Sequence, residues 1–150
     1  MKSPNLLRTN KINITVDHIL NDYRFFSTPQ QYQDQDNFYV YDQSNGLYVL
    51  DAEMFIVHKI NELFPNCFKH YSHIREVINQ VQRLSLIILP DQINPKNITN
   101  FKNGLFLHNE NKLIPHSPRI YTTKQILTNY IDNTNSLSKQ AKFLEHLNYL

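Results

Sequence analysis

Glycine is nearly absent: the 150 residues hold two, Gly46 and Gly104. Backbone that needs a positive φ therefore has few inexpensive places to find it. A glycine-rich phosphate loop ending in Gly-Lys-Ser/Thr is excluded, because neither glycine is followed by lysine. Cysteine is scarcer still. With Cys67 alone there is no internal disulfide, which fits a reducing compartment. The segment Met1-Lys2-Ser3-Pro4-Asn5 lacks the apolar core of a signal peptide. The longest apolar run, Leu84-Ser85-Leu86-Ile87-Ile88-Leu89, is too short to cross a bilayer. These absences lead to the expectation of a cytoplasmic protein without a membrane partner. A dominant charge is missing too: the formal net charge of +2 does not by itself mark a nucleic-acid binder. No internal repeat is present.

What is there suits a folded domain, with 41% hydrophobic and 12% aromatic residues. The charges are segregated. Between Asp17 and Glu53 seven acidic residues stand against the single Arg24, whereas Lys96, Lys102, Lys112, Arg119 and Lys124 face only Glu110 in the later stretch. Such asymmetry suggests two faces with different partners, or simply two solvated surfaces.

Periodicity predicts an α+β fold. Val16, Ile19, Leu20 and Tyr23 place a short amphipathic helix over residues 15–26, capped by Thr15. A Gln-rich loop follows. Phe38–Tyr41 and Leu47–Leu50 flank a turn containing Asn45-Gly46 and predict a β-hairpin. Asp51 is placed to cap a helix over residues 52–64 that Pro65 stops, and Ser72 to cap a second reaching Arg83, with Leu84 inward. These two helices are expected to pack together. Pro90 and Pro95 suggest an extended stretch. A second hairpin, Ile98–Phe101 and Leu105–Leu107, turns at Lys102-Asn103-Gly104, and residues 113–114 and 120–123 add strand-like pieces. Leu137, Ala141, Leu144 and Leu147 predict a C-terminal helix. The corresponding division is a tail over 1–14, an α+β domain over 15–131, and a linker with a terminal helix over 132–150.

Three groupings could carry chemistry. Asp34-Gln35-Asp36 has the spacing of paired metal-holding carboxylates, but its Gln-rich loop reads as solvent-exposed, and two-metal sites need rigid placement. Cys67, His70 and His73 invite a zinc reading with His58 as fourth ligand. The set lacks the usual paired spacing, so a buried cysteine beside two exposed helix-cap histidines is expected, with no metal and no cofactor. Finally, Lys102, Lys112, Arg119 and Lys124 lie near Phe101, Phe106 and Tyr121 in sequence. They could track a phosphate backbone while the rings stack on bases. The other reading makes the phenylalanines core and the lysines solvated.

The second half resembles a known family. Asn100-Phe101-Lys102-Asn103-Gly104-Leu105-Phe106-Leu107, then Leu113-Ile114-Pro115-His116-Ser117-Pro118, then Thr122-Thr123-Lys124-Gln125-Ile126 and Tyr130 are similar to a signature of phage, plasmid and poxvirus primase-helicases. It belongs to the helicase-linked N-terminal domain, just ahead of the superfamily 3 AAA+ helicase. Residues 37–42 and 46–48 resemble the opening of that domain. Leu107-His108 departs from the family pattern, which commonly has an acidic residue there, so no carboxylate role transfers. The resemblance implies a non-catalytic replication module that couples or assembles a primase-helicase. Expected partners are a superfamily 3 helicase or other replication proteins, DNA held weakly and without sequence preference, and further copies of the chain. Contact with nucleic acid is expected from Lys96, Lys102, Lys112, Arg119 and Lys124. A scaffold role is expected from Phe101, Asn103, Gly104, Pro115, His116, Ser117 and Pro118. The alternative is a stand-alone interaction protein of a phage or mobile element that binds another replication protein through Phe38, Tyr39, Tyr41 and Tyr48.

Overall fold

In the computed structural model, which describes residues 4–29 and 37–132, the chain enters through a helix, α1 (Pro4–Asp22). Pro4 suits the first turn, where its missing N–H would have had no partner. Ile12, Thr15, Val16 and Ile19 form its buried stripe. Residues 4–14, assigned to a tail from the sequence, are thus the first half of this helix. Thr15 does not cap it. Its hydroxyl donates to the Lys11 carbonyl at 2.8 Å within the helix. The far end closes four residues earlier than expected, where the Arg24 guanidinium donates to the carbonyls of Leu20, Asn21 and Tyr23.

Phe25–Ser27, expected to be partly helical, is a strand, β1. It pairs antiparallel with β2 (Phe38–Asp42), which pairs with β3 (Leu47–Val49). The predicted first hairpin is therefore present, with Tyr41 opposite Tyr48. Its turn is wider than a two-residue one. Asp42 accepts hydrogen bonds from the Ser44 N–H and the Asn45 side chain, and the Gly46 N–H returns to the Asp42 carbonyl. Of the Asn-Gly pair only Gly46 takes a positive φ, +72°.

Next come α2 (Ala52–Leu63) and α3 (Tyr71–Leu84). Ala52, Ile56 and Ile60 of the first and Val77, Ile78 and Val81 of the second are buried, each large aliphatic contributing about 1.5–3 kcal/mol. Neither expected cap forms: the Asp51 side chain makes no capping bond, and α3 starts one residue before Ser72, after an extended His70. Leu84, expected inward, is 65% exposed, because the helix ends there and the chain turns into β4 (Leu86–Ile87). This strand adds parallel to β1, completing a sheet of order β3-β2-β1-β4. Residues 90–92, expected to be extended, make one turn of 3-10 helix with Pro90 leading.

Side chains alternate across this sheet. Phe25, Phe38 and Val40 pack under all three helices. Phe26, Tyr41 and Tyr48 face the other way, with Ile88, and are covered by Ile93 and Tyr121 from the second half. Both faces are therefore buried, which is why β2 reads as an unbroken apolar and aromatic run.

The second sheet has order β5-β6-β7, from β5 (Ile98–Phe101), β6 (Gly104–Leu107) and β7 (Lys112–Ile114). The predicted hairpin turns over Lys102-Asn103, with Phe101 paired to Gly104. A Cβ on Gly104 would stand 2.5 Å from the Ile114 carbonyl oxygen, so only glycine admits β7 at this distance. Residues 120–123 form no strand. Thr122 instead accepts one hydrogen bond from the Tyr48 N–H, and Tyr121 one from the Asn94 N–H. Among the described residues, mixed α and β structure in two sheets and three α-helices agrees with the fold class expected. The predicted C-terminal helix and the Asp34–Asp36 pair lie outside the described residues.

Candidate functional site: a polar clasp between the two sheets

Asn100, in the middle of β5, points its amide away from water and is 4% exposed. Its Nδ2 donates to the Gly46 carbonyl at 2.9 Å and to Thr122 Oγ1 at 2.7 Å. Its Oδ1 accepts from His116 Nε2 at 3.1 Å and Gln125 Nε2 at 3.0 Å. Both amide hydrogens and both acceptor sites are used, so the side chain is saturated. One residue thereby ties the hairpin of the first sheet, the second sheet and the two irregular segments that follow it.

His116 and Gln125 carry the joint further. His116 Nε2 also lies 2.9 Å from the Phe101 carbonyl. Both its partners are acceptors, so this nitrogen carries the proton. The imidazole ring packs against Gly46, where a Cβ would overlap it. Gly46 is thus required twice, for its backbone angle and for the space it leaves. Gln125 Nε2 reaches across to the Asn45 carbonyl at 2.6 Å. Beside them the Tyr48 phenol donates to the Pro118 carbonyl at 2.6 Å. Burial first, then the neighbouring Tyr121 and Tyr41, raises the Tyr48 pKa well above that of an ordinary phenol. It remains a donor throughout the physiological range.

The rest of the signature supports this joint. Asn103 grips the backbone of Tyr130 at both ends, its Nδ2 donating to the carbonyl at 3.0 Å and its Oδ1 accepting from the N–H at 2.8 Å. The Tyr130 ring then stacks on Phe106 at 4.5 Å and lies 5.4 Å from Phe101. Ser117 Oγ accepts from the Arg119 N–H, and Pro115 and Pro118 flank His116 in an irregular connector. Among the described residues no buried side-chain nitrogen or oxygen lacks a partner. These bonds hold the two sheets in register.

Of the five basic residues, Lys102 and Lys112 stand at opposite ends of the second sheet. Lys112 pairs across from Leu107, at the end of the second sheet where Asn97, the neighbour of Lys96, accepts from the His108 N–H. Lys102 caps the opposite end, about 10 Å away along the strands. Lys124 lies beside Asn94, and Arg119 follows the Pro118 that bonds Tyr48. The rings expected to meet bases are engaged internally: Phe106 and Phe101 with Tyr130, and Tyr121 with Phe26 and Tyr48. The first-half aromatics considered for partner contact are likewise packed. Phe38, Tyr41 and Tyr48 are buried, and Tyr39 stacks on Phe26 at 4.6 Å.

Cys67, expected to be buried, is exposed. It stands with His70 and His73 at the rim of a hollow of about 340 Å³ beside the start of α1. The connection from α2 to α3 turns at Asn66 with a positive φ, which carries the thiol outward rather than under the helices. Among the described residues no three His, Cys, Asp or Glu side chains gather as a metal site.

Sequence reasoning singled out Phe101, Asn103, Gly104 and the segment 115–118 but gave no role to Asn100, Thr122 or Gln125. A signal existed: all three are polar residues inside the signature stretches, and Asn100 occupies a core-facing strand position. What it bonds to could be known only from the fold. A family model described as D5 N terminal like matches residues 58–148. That stretch starts within α2 and includes Asn100, His116 and Gln125, while Gly46 and Tyr48 precede it. No curated protein matches the chain.

Proposed function

From the premise that the chain belongs to the D5 N terminal like family, whose members are the N-terminal domains of replication primase-helicases, we propose that it is a non-catalytic coupling module. Its role is to help a superfamily 3 helicase assemble or engage its template. The observation that carries this reading is the saturation of the signature. Asn100, His116 and Gln125 spend their polar atoms on joining two sheets, as a part that transmits geometry must and as a catalytic cleft does not. Contact with DNA, where the module makes it, runs through charge at Lys96, Lys102, Lys112, Arg119 and Lys124, because the neighbouring rings are occupied. Binding of that kind releases counterions and discriminates little between sequences.

The test is to mix the full chain with a superfamily 3 helicase encoded in the same replicon. Sedimentation should show a complex with an increased hexamer fraction, and DNA-stimulated ATP hydrolysis should rise. Sedimentation of the two proteins as separate species, with unchanged hydrolysis, refutes the coupling role. The reading of a stand-alone interaction protein then takes its place.

A further inference from the structure

The hollow beside Cys67 has a chemistry that the clasp does not explain. Its walls come from α1, from the α2–α3 connection and from the beginning of α3, and they carry Arg8, Lys11, Lys69, His70 and His73 without a single carboxylate. Among the described residues none of the three permanent cations forms an ion pair. Elsewhere the cations of the helices find partners: Lys59 pairs with Glu62, Arg75 with Glu53 and Arg83 with Glu76. The first turn of α3, a helix of 14 residues, has no acidic residue, so no side chain there offsets the positive end of its dipole. His73, in the same hollow, has its pKa lowered by burial first and then by the charges of Arg8 and His70.

Like charges brought together around a concavity of about 340 Å³ repel one another. The arrangement is stabilised by an anion whose size suits the space. The walls are not wholly polar. Phe68 packs against the helical core at one side, and the His70 and His73 rings meet edge to face at 5.4 Å. Planar faces beside concentrated positive charge suit an anionic group attached to an aromatic ring system, with the ring stacked and the anion paired. We propose that the hollow between α1 and the amino end of α3 binds a nucleotide, with Arg8, Lys11 and Lys69 holding its phosphate. This inference does not rest on the coupling role or on the basic residues of the second sheet. The nucleotide is either free or part of a nucleic-acid strand, and the phosphate chemistry is shared.

Cys67, the only cysteine, lines the hollow and reports its occupancy. The rate at which a chromogenic disulfide labels the intact chain is measured against increasing AMP, adenosine, inorganic phosphate and a short oligothymidylate. AMP should slow labelling several-fold and adenosine should not, while phosphate should act only at higher concentration. Arg8→Glu with Lys69→Glu replaces exposed side chains and should weaken protection by more than about tenfold; Arg83→Gln, exposed at the far end of α3, should leave it unchanged. Circular dichroism confirms folding, and Lys69→Gln serves if the double reversal does not fold. Oligothymidylate acting at lower concentration than AMP identifies a strand as the source, and the reverse order a free nucleotide. Equal protection by adenosine and AMP, or labelling indifferent to AMP, overturns the proposal.

Discussion

Replacing Asn100 by alanine tests whether the signature is a structural joint. The substitution deletes four hydrogen bonds at once, to Gly46, Thr122, His116 and Gln125. Their net worth is about 1 kcal/mol each, and more where a buried partner is left without a replacement. Two losses are softened, because His116 keeps the Phe101 carbonyl and Gln125 keeps the Asn45 carbonyl. The Gly46 carbonyl and the buried Thr122 hydroxyl have no such second partner in the clasp. The expected cost is about 3 kcal/mol, a large part of the stability of a domain this size. The melting temperature should fall by roughly 6–12 °C. Urea unfolding followed by tyrosine near-ultraviolet dichroism is the assay, since the chain has nine tyrosines and no tryptophan and Tyr48 and Tyr121 flank the joint. Gln125→Ala, alone and combined with Asn100→Ala, completes a double-mutant cycle, with an expected coupling of about 1 kcal/mol. A loss below about 0.5 kcal/mol for Asn100→Ala, or additive effects in the cycle, would refute the reasoning: these residues would then be neighbours without dependence.

Tyr48 makes a prediction in pH. Its folded pKa is raised by burial and by Tyr121 and Tyr41, so the folded state holds this proton more tightly than the unfolded chain. The stabilisation is full below the ordinary phenol pKa of about 10 and is lost as pH rises beyond it. Tyr48→Phe should cost about 1 kcal/mol at neutral pH through the lost bond to Pro118 and should flatten the alkaline decline; an unchanged alkaline slope counts against the buried phenol as its cause. For the basic residues, Lys102→Ala, Arg119→Ala and Lys124→Ala together should weaken DNA binding uniformly across sequences and reduce its salt dependence. If a well-folded triple variant binds single- and double-stranded DNA as the parent does over a salt series, these side chains are only a solvated surface.

The sequence alone determined the features whose causes are local. Both hairpins follow from short β-rich runs around the only two glycines, since turn stereochemistry is decided within a few residues. The packed faces of α2 and α3 follow from their helical spacing, and Pro65 from its inability to continue a helix. The ordered motifs from Asn100 to Tyr130 pointed to the family. Tertiary structure decided the rest. β1 and β4 have three and two residues, too few for any period to show, and they exist because each finds a partner from a distant part of the chain. The length of α1 depended on the core that receives Ile12, not on the cap-like Thr15. Lys102 and Lys112 are near in sequence and lie at opposite ends of the second sheet, because β6 runs its length between them. Above all, the importance of Asn100 was illegible in one dimension. An asparagine within a strand looks like a weak β-former, until folding brings Gly46, Thr122, His116 and Gln125 around it and removes the water that would otherwise have satisfied its amide.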